Sequence, residues 1–245
     1  SLFAFKRCLA HFAVDADQAY MTTKLAGLRT FFLPFNKGYG NGAGNPPNDR
    51  GYKTAYLWED VWTKMSILEL VGKFITLQKE RITDSRGREI VKETLLFPRY
   101  HQRDTVQRLV EDAREHGVGH AYLIQHSAGS GKSNTIGWTA HRLSELYGAD
   151  DHKVFDTVLV VTDRRVLDRQ LRDTVTQFEQ RAGVVKAITE GSEELKTALQ
   201  SGERIIVTTL QKFPYIVDTI GELPGKRFAV IIDEAHSSQS GDSAA

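Results

Sequence analysis

Hydrophobic positions change their spacing near Pro98, and the change predicts two kinds of architecture in one chain. Before it, short apolar runs at 9–14, 19–23 and 30–35 alternate with polar breaks such as Asp15-Ala16-Asp17. Runs of that length between turn formers predict a helix or strand followed by a small antiparallel meander. Residues 38–51 hold five glycines and the pair Pro46-Pro47, and so predict a loop without regular structure. Beyond it Trp58, Val61, Trp62, Met65, Leu68, Val71, Gly72 and Ile75 recur at helical intervals. That spacing predicts a helix whose aromatic face packs into the core, ended by a turn at 84–87.

After Pro98 the apolar segments lengthen into runs at 121–125, 157–162, 184–188, 204–209 and 228–233, with helical stretches between them. Strands covered on both faces read this way, and their alternation with helices predicts an α/β fold with a parallel sheet. No fixed-period repeat is visible, so a solenoid or propeller is not supported.

Length and composition sharpen this picture little. A chain of 245 residues exceeds a typical single domain, so one full core and a smaller unit are expected, divided at 1–95 and 96–245. Apolar residues make up 40% and charged residues 26%, as in an ordinary globular protein rather than a disordered one. With a formal net charge of +1, any grip on a polyanion must come from local clusters of Arg and Lys. The single cysteine, Cys8, cannot form an internal disulfide and reads as a buried thiol. No stretch is apolar enough to span a bilayer and no leader pattern opens the chain, so a cytoplasmic protein without a membrane partner is expected.

Chemistry enters at the end of the 121–125 run. Ser127-Ala128-Gly129-Ser130-Gly131-Lys132-Ser133 follows a predicted strand and opens a predicted helix, the setting a phosphate-binding loop needs. Gly129 and Gly131 allow a tight fold that turns backbone N–H groups toward phosphate oxygens, with the helix dipole behind them. Lys132 is placed for the β- and γ-phosphates of ATP and the Ser133 hydroxyl for Mg2+. The usual pattern wants glycine at 126, where this chain has His126; a Gly/Ser-rich loop before a helix is the plain alternative. Asp233-Glu234-Ala235-His236 decides between them, because it closes an apolar strand of the same α/β unit. Asp233 is then the second Mg2+ ligand and Glu234 the residue that polarises the attacking water, with Lys132, Asp233 and Glu234 the catalytic set.

The segment from Ala128 through Ser133 and the Asp233-Glu234-Ala235-His236 box resemble the first RecA-like domain of superfamily 2 helicases. Val160-Val161-Thr162-Asp163-Arg164 and Thr208-Thr209-Leu210-Gln211-Lys212 fall where that superfamily has two strand-end DNA-contacting motifs. More narrowly, Cys8-Leu9-Ala10-His11-Phe12-Ala13-Val14-Asp15, Tyr20-Met21-Thr22-Thr23-Lys24-Leu25, Phe32-Leu33-Pro34-Phe35-Asn36 and Gly42-Ala43-Gly44-Asn45-Pro46-Pro47 resemble the R (motor and nuclease) subunit of type I restriction enzymes. With residues 233–239 added, the likeness covers nearly the whole chain.

The resemblance implies a RecA-like P-loop domain over 96–245, preceded by the C-terminal part of a nuclease-type domain and a linker helix over 1–95. It implies an ATP-hydrolysing translocase of double-stranded DNA that restricts unmodified DNA together with methyltransferase and specificity subunits. Gln102 would read the adenine edge, although a glutamine in a first helical turn is also a common cap. Arg164 and Arg165 would neutralise DNA phosphates, or pair with Asp163, Asp168 and Asp173 along the helix. Thr208 and Thr209 would contact DNA, or simply suit a pleated strand, and His236 would couple the nucleotide site to a neighbouring motor lobe. Glu194-Leu195-Lys196 has the letters of the family's nuclease motif but lies in an amphipathic surface helix that Ser192 caps. No second motor lobe or nuclease centre is expected within this chain, which would hold nucleotide without completing a motor cycle alone. Another superfamily 2 translocase, in repair or remodelling, and a nucleotide-binding scaffold without turnover are the competing readings.

Overall fold

The computed structural model describes residues 3–40, 42–84, 87–162, 165–179, 183–189, 191–212, 221 and 223–233, and for 165–170 and 192 the backbone only. The chain forms two compact units, Ser1–Asp104 and Thr105–Ala245.

In the first unit the expected meander is present as β1 (His11–Val14), β2 (Ala19–Thr22) and β3 (Leu33–Pro34), paired antiparallel in that order. Phe35, fully buried, centres an aromatic cluster with Phe12 and Tyr100 packed edge-on against it. The Tyr56 hydroxyl donates to the Phe35 carbonyl, and burial pushes its pKa up to about 12. The loop at 38–51 is irregular but anchored. Asn45, buried, donates to the Asp17 carbonyl and Asn36 Oδ1 and accepts the Lys37 N–H.

The helix expected from Trp58 onward is broken into three pieces, and of its expected face Val61 is buried while most of the rest is exposed. Wide π-type turns at Leu57–Val61 and Leu70–Phe74 flank α1 (Lys64–Glu69), which starts anew at Thr63, whose hydroxyl accepts the Ser66 N–H. Wide turns place residues four apart on one side, so Leu57, Val61, Leu70 and Phe74 are buried. Trp58, Met65, Leu68 and Val71 are instead 47%, 74%, 57% and 51% exposed, and Trp62 is 38% exposed. Trp58 is therefore not core and Trp62 only edges onto Phe12; a 3.6-residue period misplaces most of the stripe on a helix with interrupted phase.

The turn expected near 84 joins a hairpin the sequence did not announce, β4 (Thr76–Thr83) and β5 (Glu89–Leu96). Asp84 closes it by accepting the Arg88 N–H, with Gly87 at φ 76°. Helix α2 (Tyr100–His116) follows. In its first turn Arg103 grips Asp60 through both guanidinium ends at 3.2 and 3.0 Å and donates to Ser66 Oγ at 2.8 Å.

The second unit is α/β, with a four-stranded sheet ordered β7-β8-β6-β9 in which every pair is parallel. The strands are β6 (Thr157–Thr162), β7 (Val185–Ala187), β8 (Ile205–Thr209) and β9 (Phe228–Ile232). The central pair β6 and β8 is buried at every residue, as their unbroken apolar runs require. Helices α4 (Arg165–Gln177) and α5 (Ser192–Ser201) make the crossovers to β7 and β8. Because the first step passes over β8 and the second returns, right-handed connections set them on opposite faces. Leu195, Ala198 and Leu199 of α5 cover the face carrying Leu159, Ile206 and Ile188.

Helix α3 (Lys132–Ser144) packs on β6 and against α4. Gly137 permits the close approach, since a Cβ there would lie 2.6 Å from the Phe178 ring. Trp138 packs against the same ring, and the His141 Nε2–H donates to the Val175 carbonyl at 2.8 Å. Residues 121–125 correct the sequence reading. Among the described residues they pair with no strand, and Tyr122, Leu123 and Ile124 are 46%, 91% and 42% exposed. An apolar run marks a segment able to pair, but a strand exists only beside a partner ladder, and the described sheet ends at β9.

Candidate nucleotide-binding site

The loop at 127–133 is built by glycine where the backbone needs it. Ser127 to Ser130 form a turn closed by the Ser130 N–H to the Ser127 carbonyl at 3.1 Å, and Gly129 takes φ 71°. Gly131, at φ 84°, is the left-handed residue that starts α3, and its carbonyl accepts the N–H groups of Asn134 and Thr135. Lys132 and Ser133 thus occupy the first turn of a 13-residue helix. There the amides point back along the axis and carry the positive end of the helix dipole.

Asp233 comes to this point from the sheet. It follows β9 directly, and its N–H extends the ladder to the Val161 carbonyl of β6 at 2.9 Å. Its carboxylate lies at the carboxyl rim of the parallel strands, where ligands bind in open α/β sheets. Lys132 Nζ stands 2.8 Å from Asp233 Oδ1, joining the loop and the strand-end acid in one place. The contact is a charge contact rather than an aligned hydrogen bond, and Oδ1 is otherwise buried without a partner. The Asp233 carboxylate and Ser133 hydroxyl are hard oxygen donors of the kind Mg2+ takes alongside water and phosphate. An oxygen buried without an aligned donor fits that use.

Other expected site residues are placed differently. Ser127, Ala128 and Gly129 are exposed and Ser130 is buried. Gln102 belongs to the first unit and is 3% exposed; its carboxamide oxygen accepts the Arg99 N–H at 2.9 Å. That is the reach-back bond of a helix cap. Thr208 and Thr209 end β8 at 0% and 8% exposure, so neither hydroxyl is presented at the surface. Glu234, His236, Asp163 and Arg164 lie outside the described residues, as does the side chain of Arg165. Glu194 is engaged structurally, accepting the Thr189 N–H at 3.0 Å and lying 3.4 Å from Lys186. Among the described residues no three His, Cys, Asp or Glu side chains gather as a metal cluster, and no helix is long and apolar enough to cross a membrane.

Sequence reading left His126 without a role, yet its Nδ1 lies 2.9 Å from Ser130 Oγ inside the loop. The four-residue spacing was visible, but the bend that brings the two together was not.

A family model described as SWI2/SNF2 ATPase matches residues 101–245. The chain is also similar to proteins named as type I restriction enzyme endonuclease subunits. It is 25% identical over 228 residues to the MjaVIIIP subunit of Methanocaldococcus jannaschii, covering 80% of this chain and 21% of that one. It is 35% identical over 126 residues to the C-terminal part of the MpnIIP subunit of Mycoplasma pneumoniae, covering 48% of this chain and 57% of that one. It is 28% identical over 181 residues to the HindI subunit of Haemophilus influenzae, covering 71% of this chain and 16% of that one. The chain thus spans about a fifth of the first relative's length.

Proposed function

Because the chain belongs to the SWI2/SNF2 ATPase family, we propose that its second unit is the ATP-gripping part of a double-stranded DNA translocase in a type I restriction endonuclease. It would work beside methyltransferase and specificity subunits, in the cytoplasm, to restrict unmodified DNA. The first unit we read as the tail of a nuclease-type domain with its linker helix. This reading is supported by the similarity to the M. jannaschii subunit, which covers 80% of the chain and so reaches past the part the family model matches.

The observation that carries the proposal is the meeting of Lys132 with Asp233 at 2.8 Å. Amides of residues 127–133 would cradle the phosphates, and Lys132 would leave Asp233 for the β- and γ-phosphate oxygens. Ser133 and Asp233 would hold Mg2+, which neutralises charge on the transferred phosphoryl group when bound. Glu234 would orient the attacking water, and His236 would couple the site to a neighbouring lobe. Arg164 and Arg165 would meet DNA phosphates. Thr208 and Thr209 would act there only if the rim of β8 opens, given their burial.

The test is equilibrium binding of a fluorescent ATP analogue to the full chain with and without Mg2+, repeated with Lys132→Ala. Binding strengthened by Mg2+ and weakened about a hundredfold by the substitution is expected, which is about 2.7 kcal/mol. Unchanged affinity in Lys132→Ala rejects the phosphate assignment. Hydrolysis stimulated by DNA separates a translocase from a nucleotide-binding scaffold.

A further inference from the structure

We propose that His126 is a positioning residue of the phosphate loop, bracing its turn through Ser130 so that the backbone on either side of Ser130 is held in the form that meets phosphate. The proposal rests on the nucleotide-binding reading above. It concerns a position where the common loop pattern has glycine, and where this chain gains a side chain instead.

Glycine is not required at 126. The backbone there is outside the left-handed region, since among the described non-glycine residues only Lys6 and Asp151 have positive φ. The left-handed positions are Gly129 and Gly131, at φ 71° and 84°, on either side of Ser130. A serine between two such glycines sits in the most permissive stretch of the loop, where ordering costs the most conformational entropy. A backbone bond closes the turn, from Ser130 N–H to Ser127 O.

The imidazole supplies a second tie. His126 Nδ1 and Ser130 Oγ are 2.9 Å apart, spanning the turn from its first flank to its last residue. Ser130 is 7% exposed while its neighbours Ser127, Ala128 and Gly129 are exposed, so its side chain is turned inward to the ring. A hydroxyl and a neutral imidazole exchange donor and acceptor roles with the tautomer, so the bond forms whichever nitrogen carries the proton. Holding Ser130 inward fixes the peptide planes on both sides of it. The first plane carries the Ser130 N–H that closes the turn and the second the Gly131 N–H at the start of the helix, and fixing them beforehand lowers the ordering cost of binding.

The experiment uses the full chain, a fluorescent ADP analogue and Mg2+, so that affinity is read without turnover. His126→Ala and Ser130→Ala should each weaken binding about five- to tenfold, the worth of one intramolecular hydrogen bond. The double variant should be no more than about twofold weaker than either single one, because both remove the same bond. His126→Asn, which can still donate or accept, should return affinity to within about twofold of the parent. Wild-type affinity in His126→Ala overturns the brace, and so do losses that multiply in the double variant. Should His126→Ala unfold, Ser130→Ala with the nitrogen NMR signals of the His126 ring reads the same bond. A ring signal unmoved by Ser130→Ala overturns the proposal. Lys132→Ala keeps the two readings apart. If it too binds as the parent does, the phosphate site itself is wrong; if it fails to bind while His126→Ala binds normally, only the brace is.

Discussion

Each unit of this protein contains an ion pair with one buried member, and the two are built for opposite ends. In the first, the buried member is the cation: Arg103 is 4% exposed and Asp60 47%. The guanidinium meets both carboxylate oxygens and also Ser66 Oγ, a planar fork that fixes direction as well as distance. In the second, the buried member is the anion: Asp233 is 7% exposed and Lys132 35%. One ammonium meets one oxygen off the line of a good hydrogen bond, on a flexible stem that can turn elsewhere. Architecture uses the fork. The point charge leaves the lysine able to change partners, as the proposed phosphate site would require.

Double-mutant cycles are the direct way to break this comparison, because they cancel the separate cost of removing each group. From urea denaturation, Arg103→Ala with Asp60→Ala should show a coupling of about 2–3 kcal/mol, near the top of the range for neighbouring residues. Lys132→Ala with Asp233→Asn should show about 1 kcal/mol or less, as partly exposed single contacts do. Equal couplings would mean that the lysine holds the fold together as firmly as the arginine does.

The body of α3 should behave like the first pair rather than the second, since a loop can exchange partners only on a fixed base. Gly137→Ala tests this. Alanine favours a helix over glycine by about 1 kcal/mol, but its Cβ would come 2.6 Å from the ring of Phe178, which is itself 6% exposed. Overpacking of that kind costs about 1–3 kcal/mol. A net loss of stability of up to about 2 kcal/mol in the same denaturation experiment is expected; a gain would show that the ring yields and α3 is loosely seated.

His141, one turn further on, adds a pH signature of smaller size. Burial lowers its pKa from 6.5, against the opposing pull of the Val175 carbonyl, Glu179 and Glu145. A histidine with a lowered folded pKa is neutral in the folded state while the unfolded chain still takes up a proton. Its contribution is therefore complete above pH 6.5 and is lost as pH falls below that value toward the folded pKa. Stability should decline from pH 7.5 to 5.5 in the parent, and His141→Gln should flatten that part of the profile. An unchanged slope would show that burial does not hold this imidazole neutral.

The sequence was informative wherever burial on both faces or a backbone constraint left a mark. Strands β6 and β8 showed as unbroken apolar runs, and Gly129 and Gly131 marked the left-handed turns of the loop. It was silent where partnership decides. The hairpin pairs Lys79 with Glu93 and Glu80 with Lys92 across its strands, a charged register that erases apolar alternation. The exposed face of Trp58 and Met65 follows from wide turns that no 3.6-residue template contains. Arg103 with Asp60, and His126 with Ser130, are side-chain meetings that spacing does not foretell.

The least costly change should be at Leu123, and it tests whether residues 121–125 are unpaired. That segment has a strand's composition and none of a strand's pairing, with Leu123 91% exposed. A side chain already in water loses almost nothing on becoming polar, so Leu123→Ser should shift stability by less than about 0.5 kcal/mol. It should also reduce self-association measured by light scattering, because β9 carries Val230 and Ile232, each 43% exposed, along the sheet's edge, and exposed apolar edges invite pairing between molecules. A loss of about 2 kcal/mol or more, on the order of burying a leucine, would mean that residues 121–125 are packed in solution and that the run is a strand after all.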